Sequence, residues 1–197
     1  EVVLIEPGAM SRMSSNMKSS FKRQGSFFSA IFRKMFGGEN FFLGKYEHPN
    51  GGSLTFAPSI PGHVEHRQLS NNSLNVMAGC FLACTPGVNI KAKFGGLKAF
   101  FSGEGAFLLE ASGSGDLFFN SFGGIVKKEI NGEFIVDTGH VVAFDSSLNY
   151  SITGMGNFKS TMLSGEGLVM KFKGAGTLYL QTRNVSSVAS WLTPRLL

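Results

Sequence analysis

The chain has 197 residues, 43% of them apolar, and a formal charge of +5. That apolar content is enough for a sizeable core and excludes a disordered chain, and the absence of any run of about 18 apolar residues excludes a helix long enough to cross a bilayer. The charge is unevenly placed: residues 11–34 hold Arg12, Lys18, Lys22, Arg23, Arg33 and Lys34 and no acid, so this one segment carries the whole basic excess.

In chain order, Val2-Val3-Leu4-Ile5-Glu6-Pro7-Gly8-Ala9-Met10 reads as a strand that meets a glycine-centred bend and resumes. The basic segment follows. Ser26 is placed to cap a short helix near residues 26–36, with Phe28, Phe32 and Met35 on one face and Gly37-Gly38 as the stop. Then comes Gly38-Glu39-Asn40-Phe41-Phe42-Leu43, a glycine-rich stretch at Asn50-Gly51-Gly52, and a second apolar strand at Ser53-Leu54-Thr55-Phe56.

The same elements recur. Leu74 to Ala83 repeats the bend around Gly79, and Phe134 to Ala143 repeats it around Gly139. Gly103-Glu104-Gly105-Ala106-Phe107-Leu108 and Gly165-Glu166-Gly167-Leu168-Val169-Met170 repeat the Gly-Glu hexamer at intervals of 65 and 62 residues. Each leads through glycines, Gly113-Ser114-Gly115 and Gly174-Ala175-Gly176, into a further apolar strand, so each unit is predicted to be a hairpin. Twenty Phe and 26 Gly against 6 Pro are the vocabulary of such a strand-and-turn protein. The expected architecture is all-β, with three repeated modules and a closed pseudo-threefold ring. Its expected modules are 36–95, 100–155 and a composite of 1–18 with 160–185.

Leu163-Ser164-Gly165-Glu166-Gly167-Leu168-Val169, running to Gly174 through Arg183, resembles the C-terminal signature of the altered-inheritance-of-mitochondria (mitochondrial biogenesis) family, which is also described as tryptophan RNA-binding attenuator protein-like. Val136 to Phe144 and Arg33 to Glu39 are similar to two further landmarks of that family. The resemblance implies three antiparallel β-sandwich modules of double-stranded β-helix type about a pseudo-threefold axis. It implies no reaction.

Four groups of residues are weighed for chemistry. Glu39, Glu104 and Glu166 would bind a hard cation if they met at an axis, but a carboxylate accepting from turn amides accounts for each Gly38-Glu39, Gly103-Glu104 and Gly165-Glu166 pair without a ligand, so these are read as structural markers. His63 and Glu65 share a face of one strand and His66 takes the other, a partial metal set that His140 would have to complete, as in a cupin-like metal-dependent enzyme. Asp137 and His140 lack a nucleophile elbow, and the Gly-Glu-Gly stretches match no phosphate loop. Lys22, Arg23, Arg33 and Lys34 form the candidate partner-binding surface, for anionic lipid, RNA or a second subunit.

Lys91, Lys93, Lys171 and Lys173 read as solvated strand faces, and Trp191 with Leu192 as an anchor for the tail. Cys80 and Cys84 would lie roughly 13 Å apart on one strand, too far for a disulfide, and read as small buried apolar groups of a reducing compartment. The expectation is a cytoplasmic chain, mitochondrial in a eukaryote, that acts as a non-enzymatic homo-oligomeric scaffold with a membrane or protein partner. It has no catalytic residue, metal or cofactor. Metal-dependent catalysis and RNA binding are the alternatives.

Overall fold

The computed structural model describes residues 1–23, 42–93, 108–154 and 168–196. Within them the chain forms thirteen strands: β1 (Val2–Ile5), β2 (Met10–Met13), β3 (Lys18–Arg23), β4 (Phe42–Glu47), β5 (Leu54–Phe56), β6 (Val64–Met77), β7 (Phe81–Cys84), β8 (Val88–Lys93), β9 (Leu108–Asn120), β10 (Ile125–Asp137), β11 (Val141–Asp145), β12 (Asn149–Gly154) and β13 (Leu168–Gln181). One helix, α1 (Val185–Leu196), follows. The helix expected at 26–36 and all three Gly-Glu pairs lie outside the described residues.

Every strand ladder is antiparallel. Eleven strands form one sheet along the path β10-β13-β11-β6-β9-β7-β1-β4-β3, with β12 added on β13 and β8 on β9, while β2 and β5 pair separately. Two apolar clusters fill the space the sheet encloses, one containing Leu74, Phe81, Phe119 and Tyr179, the other Phe144, Met170, Phe172 and Leu178. Burying each such side chain is worth about 1.5–3 kcal/mol.

The glycine bends recur in register. Counted from Gly8, Gly79 and Gly139, the second, fourth and fifth following residues pair with β5, β9 and β13 in the same way: Met10, Arg12 and Met13 with Phe56, Thr55 and Leu54; Phe81, Ala83 and Cys84 with Phe119, Phe118 and Leu117; Val141, Ala143 and Phe144 with Leu180, Tyr179 and Leu178. A bulge falls after the second residue each time. The sixth residue then uses an oxygen of its side chain to accept a backbone N–H from the opposite strand. Ser14 Oγ accepts from Ser53 N, Thr85 Oγ1 from Asp116 N and Asp145 Oδ2 from Thr177 N, all at 2.8 Å. The carbonyls of the same three residues accept from Met17, Val88 and Leu148 at 3.0–3.1 Å.

Three expectations are corrected. The glycine-rich stretches at 113–115 and 174–176 do not reverse the chain; β9 and β13 run straight through them as continuous strands of 13 and 14 residues. Gly113 at φ +118° and Gly174 at φ +128° lie inside these strands, and a Cβ on Gly113 would stand 2.3 Å from the Gly87 carbonyl. Positive φ is common to a bend and a reversal, so composition does not separate them.

Nor do the N-terminal strands pair with β13 among the described residues, as a composite of 1–18 with 160–185 would require: β1 pairs with β4 and β7, and β2 with β5, whereas β13 takes β10, β11 and β12. The N-terminal strands find their partners in the segment that directly follows them, where the connection is shorter and its closure costs less entropy. Among the described residues the strands therefore pair mainly within 1–56, 64–120 and 125–181, whereas the expected modules were 36–95 and 100–155. Finally, Trp191 and Leu192 do not anchor the tail. They sit on α1, none of whose residues is buried.

Candidate functional site

Two lines of contact join the strand groups to one another. In the first, Leu4 and Ile5 of β1 face Cys84 and Ala83 of β7, and Glu6 N–H extends the ladder to the Leu82 carbonyl at 2.8 Å. In the second, Leu74, Asn75 and Val76 of β6 face Asp145, Phe144 and Ala143 of β11. Counted from the bend glycines these are the same register: the third and fourth residues before one glycine meet the fourth and fifth after the next. All eight side chains at those positions are at most 3% exposed.

The second seam carries a polar network. Arg67 on β6 donates from Nη2 to Asp145 Oδ1 and from Nη1 to the Tyr179 hydroxyl, both at 2.8 Å. Thr177 completes the set, donating its backbone N–H to Asp145 Oδ2 at 2.8 Å and its hydroxyl to Glu129 at 3.2 Å. Partial burial disfavours the Arg67 charge, but Tyr179 and Asp145 outweigh it and hold the guanidinium above its ordinary pKa. Both Asp145 oxygens are thus occupied by strands that must be in place for the seam to form. The network locks two strand groups together.

At the first seam, burial pushes the Glu6 carboxyl up to about 7. Burial, with a contribution from Glu6, pushes the Cys80 thiol to about 12, so this thiol is inert at neutral pH. No disulfide joins Cys80, in the turn Ala78–Cys80, to Cys84 at the end of β7.

The residues weighed as an alternative metal set are only half assembled. His63 Nε2 lies 3.4 Å from Glu65 Oε2 on the exposed end of β6. His66, on the other face as expected, contacts Asp116 Oδ1 at 2.8 Å and stacks on Phe118. His140 instead contacts the Gln181 carbonyl through Nδ1 at 2.8 Å, in the turn Thr138–His140. No group of three or more His, Cys, Asp or Glu able to hold a metal occurs among the described residues. Asp137 caps the same turn by accepting from Gly139 N at 2.7 Å, so Asp137 and His140 are separately engaged by backbone.

Of the basic surface, Lys22 and Arg23 end β3, opposite Leu43 and Phe42 of β4, and Arg33 and Lys34 lie outside the described residues. Gly38, Glu39, Gly103, Glu104, Gly165 and Glu166 lie outside them as well, shortly before β4, β9 and β13 begin. Lys173 pairs with Glu133 at 3.2 Å on an open strand face and Lys93 with Glu110 at 2.7 Å, as solvated sheet faces do.

Two surfaces that residue types did not mark are more informative. The edge of β2 away from β5 and the edge of β10 away from β13 carry no ladder among the described residues. Met10 and Met13 on β2 and Val126 and Ile135 on β10 are exposed there, Ile135 by 57%. The other surface is α1, where Val185, Val188, Leu192 and Leu196 form one apolar stripe and Trp191 lies beside it, all in solvent. Asn184 caps this helix, its side-chain oxygen accepting from Ser186 N at 2.9 Å, and Arg195 lies over the Trp191 ring. The 185–188–192–196 spacing was a signal available in the sequence.

The family described as mitochondrial biogenesis AIM24 matches residues 1–183. This chain belongs to that family. An uncharacterised protein of Streptococcus pyogenes serotype M6, M6_Spy0233, is 31% identical over 199 residues that cover 96% of this chain and 80% of the relative. The crystal structure of SPYM3_0169 from Streptococcus pyogenes, also 31% identical, superposes with a TM-score of 0.82 over all of this chain and 89% of that one. Neither name carries an activity. The family match ends two residues before α1 starts, so the strand framework is the family's and the helix lies beyond the matched region.

Proposed function

We propose that this protein is a non-enzymatic β scaffold, built of three copies of one module about a pseudo-threefold axis, that works by assembling with other chains. The reading of three modules is supported by the thrice-repeated bulge and the thrice-repeated Ser14, Thr85 and Asp145 hydrogen bond. On this reading each module is of the β-sandwich, double-stranded β-helix type that the sequence resemblance implies.

The observation that carries assembly is the exposure of apolar side chains on two strand edges that carry no ladder among the described residues. An open edge with apolar residues is a template for another strand, and soluble chains keep such edges short, charged or covered. Gel filtration with light scattering is expected to give a homo-oligomer at micromolar concentration. A strictly monomeric species, unchanged by anionic vesicles or by RNA, overturns the proposal.

The stripe on α1 supports a second contact, with a lipid surface. Its polar face is made of serine and threonine hydroxyls, and Arg195 is its only charge. Such a helix would enter the interface through Val, Leu and Trp rather than by attraction to headgroups. Vesicle flotation should then survive high salt and be lost on Trp191→Ala with Leu192→Ala. Salt-sensitive binding to RNA that falls when Lys22, Arg23, Arg33 and Lys34 are neutralised would favour the nucleic-acid alternative, which the family's attenuator-like fold name does not itself support.

A further inference from the structure

The two seams share one register, and that register names a third. At β1–β7, Ile5 faces Ala83 and Leu4 faces Cys84; at β6–β11, Val76 faces Ala143 and Asn75 faces Phe144. Both follow one rule, in which the third and fourth residues before a bend glycine meet the fourth and fifth after the next. Applied to Gly139 and Gly8, the rule pairs Val136 of β10 with Arg12 of β2, and Ile135 with Met13. Phe134 then faces Ser14, as Leu74 faces Asp145.

These residues belong to the two edges left without a ladder among the described residues. The contrast in burial is large. Leu4, Cys84, Asn75 and Phe144 are 0–3% exposed, whereas at the corresponding positions Ile135 is 57% exposed and Met13 40%. Arg12 reaches sideways to the Thr55 hydroxyl on its own ribbon at 3.1 Å, so its side chain is engaged on the β5 side of β2. The β10 edge runs 13 residues without a proline, so no missing N–H interrupts it.

We propose that a second copy of this chain completes the third seam: β10 of one copy pairs antiparallel with β2 of another, Ile135 opposite Met13 and Val136 opposite Arg12. This rests on the reading of three equivalent modules and of assembly through exposed edges. A second copy fits because it brings the complementary edge in the register already used twice, whereas among the described residues of a single chain neither edge carries a ladder. Each copy offers one β10 edge and one β2 edge, so two copies can exchange them reciprocally and close as a dimer. One-sided exchange would instead add copies without end. Closure covers the apolar residues that make these edges prone to uncontrolled pairing.

The test is disulfide trapping between separately made full-length variants. Residues directly opposite in an antiparallel ladder have Cα atoms about 4.5–5.5 Å apart, within disulfide reach. Mixing Met13→Cys chains with Ile135→Cys chains under mild oxidation is expected to give a covalent dimer containing one of each. Val126→Cys, on the same strand but nine residues from Ile135, should cross-link at least tenfold less. Both native cysteines are buried, and wild-type protein controls for them.

A monomeric species containing an internal disulfide in the Met13→Cys/Ile135→Cys double variant, with no dimer from the mixture, overturns the proposal, because the chain then closes its own seam. Absence of both products overturns it too. Light scattering on the wild type separates these failures from failure of the scaffold reading: an oligomer that does not cross-link assembles through another surface, and a monomer assembles through none. Ile135→Asp should weaken self-association at least tenfold while leaving the circular dichroism spectrum unchanged.

Discussion

The seam between β6 and β11 and the open edges of β2 and β10 use corresponding residues to opposite effect. Phe144, five residues after Gly139, is fully buried against Asn75, whereas Met13, five residues after Gly8, is 40% exposed and has Leu54 of β5 on one side and, among the described residues, no ladder on the other. Both are large apolar residues on short strands that follow the same bulge. The difference therefore comes from whether a neighbouring strand group supplies the next ladder, and not from the strand itself. A buried seam is a cohesive element of the fold; an unburied one is a surface available to another molecule.

Substitutions at the two positions should separate most widely. Phe144→Ala is expected to destabilise by about 3–5 kcal/mol in chemical denaturation, through lost burial and a cavity. Met13→Ala should cost within about 0.5 kcal/mol at concentrations where the chain is monomeric. Equal costs would mean that Met13 is already covered in solution and would collapse the contrast.

Next in size is the polar lock of the closed seam. Arg67→Met keeps the aliphatic stem but leaves Asp145 and the Tyr179 hydroxyl without their donor, at an expected cost of about 2 kcal/mol. The loss should shrink in the Arg67→Met/Asp145→Asn double variant, measured as a double-mutant cycle.

Glu6 gives the first seam a pH signature. Its folded pKa, raised from 4.5 to about 7 by burial, means that the folded state holds a proton the unfolded chain has released. The stability from this group is complete below about pH 4.5 and is lost as pH rises through 7, by at most about 3 kcal/mol. Glu6→Gln should flatten that part of the stability profile and raise stability at pH 8 relative to wild type. An unchanged slope between pH 5 and 7.5 would show the carboxyl to be solvated. The smallest effect belongs to Lys173→Ala, within about 0.5 kcal/mol, because its pairing with Glu133 is exposed to water.

The strand content, the bends at Gly8, Gly79 and Gly139 and the same-face placement of His63 and Glu65 were legible in sequence, because each depends on neighbours a few residues apart. The continuity of β9 and β13 was not, since a glycine with positive φ looks alike whether the chain bends or turns back. The isolation of His63 and Glu65 from His140 was equally hidden. Their distance depends on how strand groups stack, and Gln181 takes the imidazole contact that a metal would have needed. Trp191 and Leu192 misled for a related reason: apolar residues at helical spacing declare a face but not what covers it.

The sequence by itself determined the local units, because periodicity, bulge-forming glycines and side-chain oxygens beside the turns act through short-range backbone geometry. Which edges those units join was decided by the tertiary structure alone. Burial at a seam needs two strand groups to arrive in the same register, and that depends on the placement of the whole chain rather than on the residues at the edge.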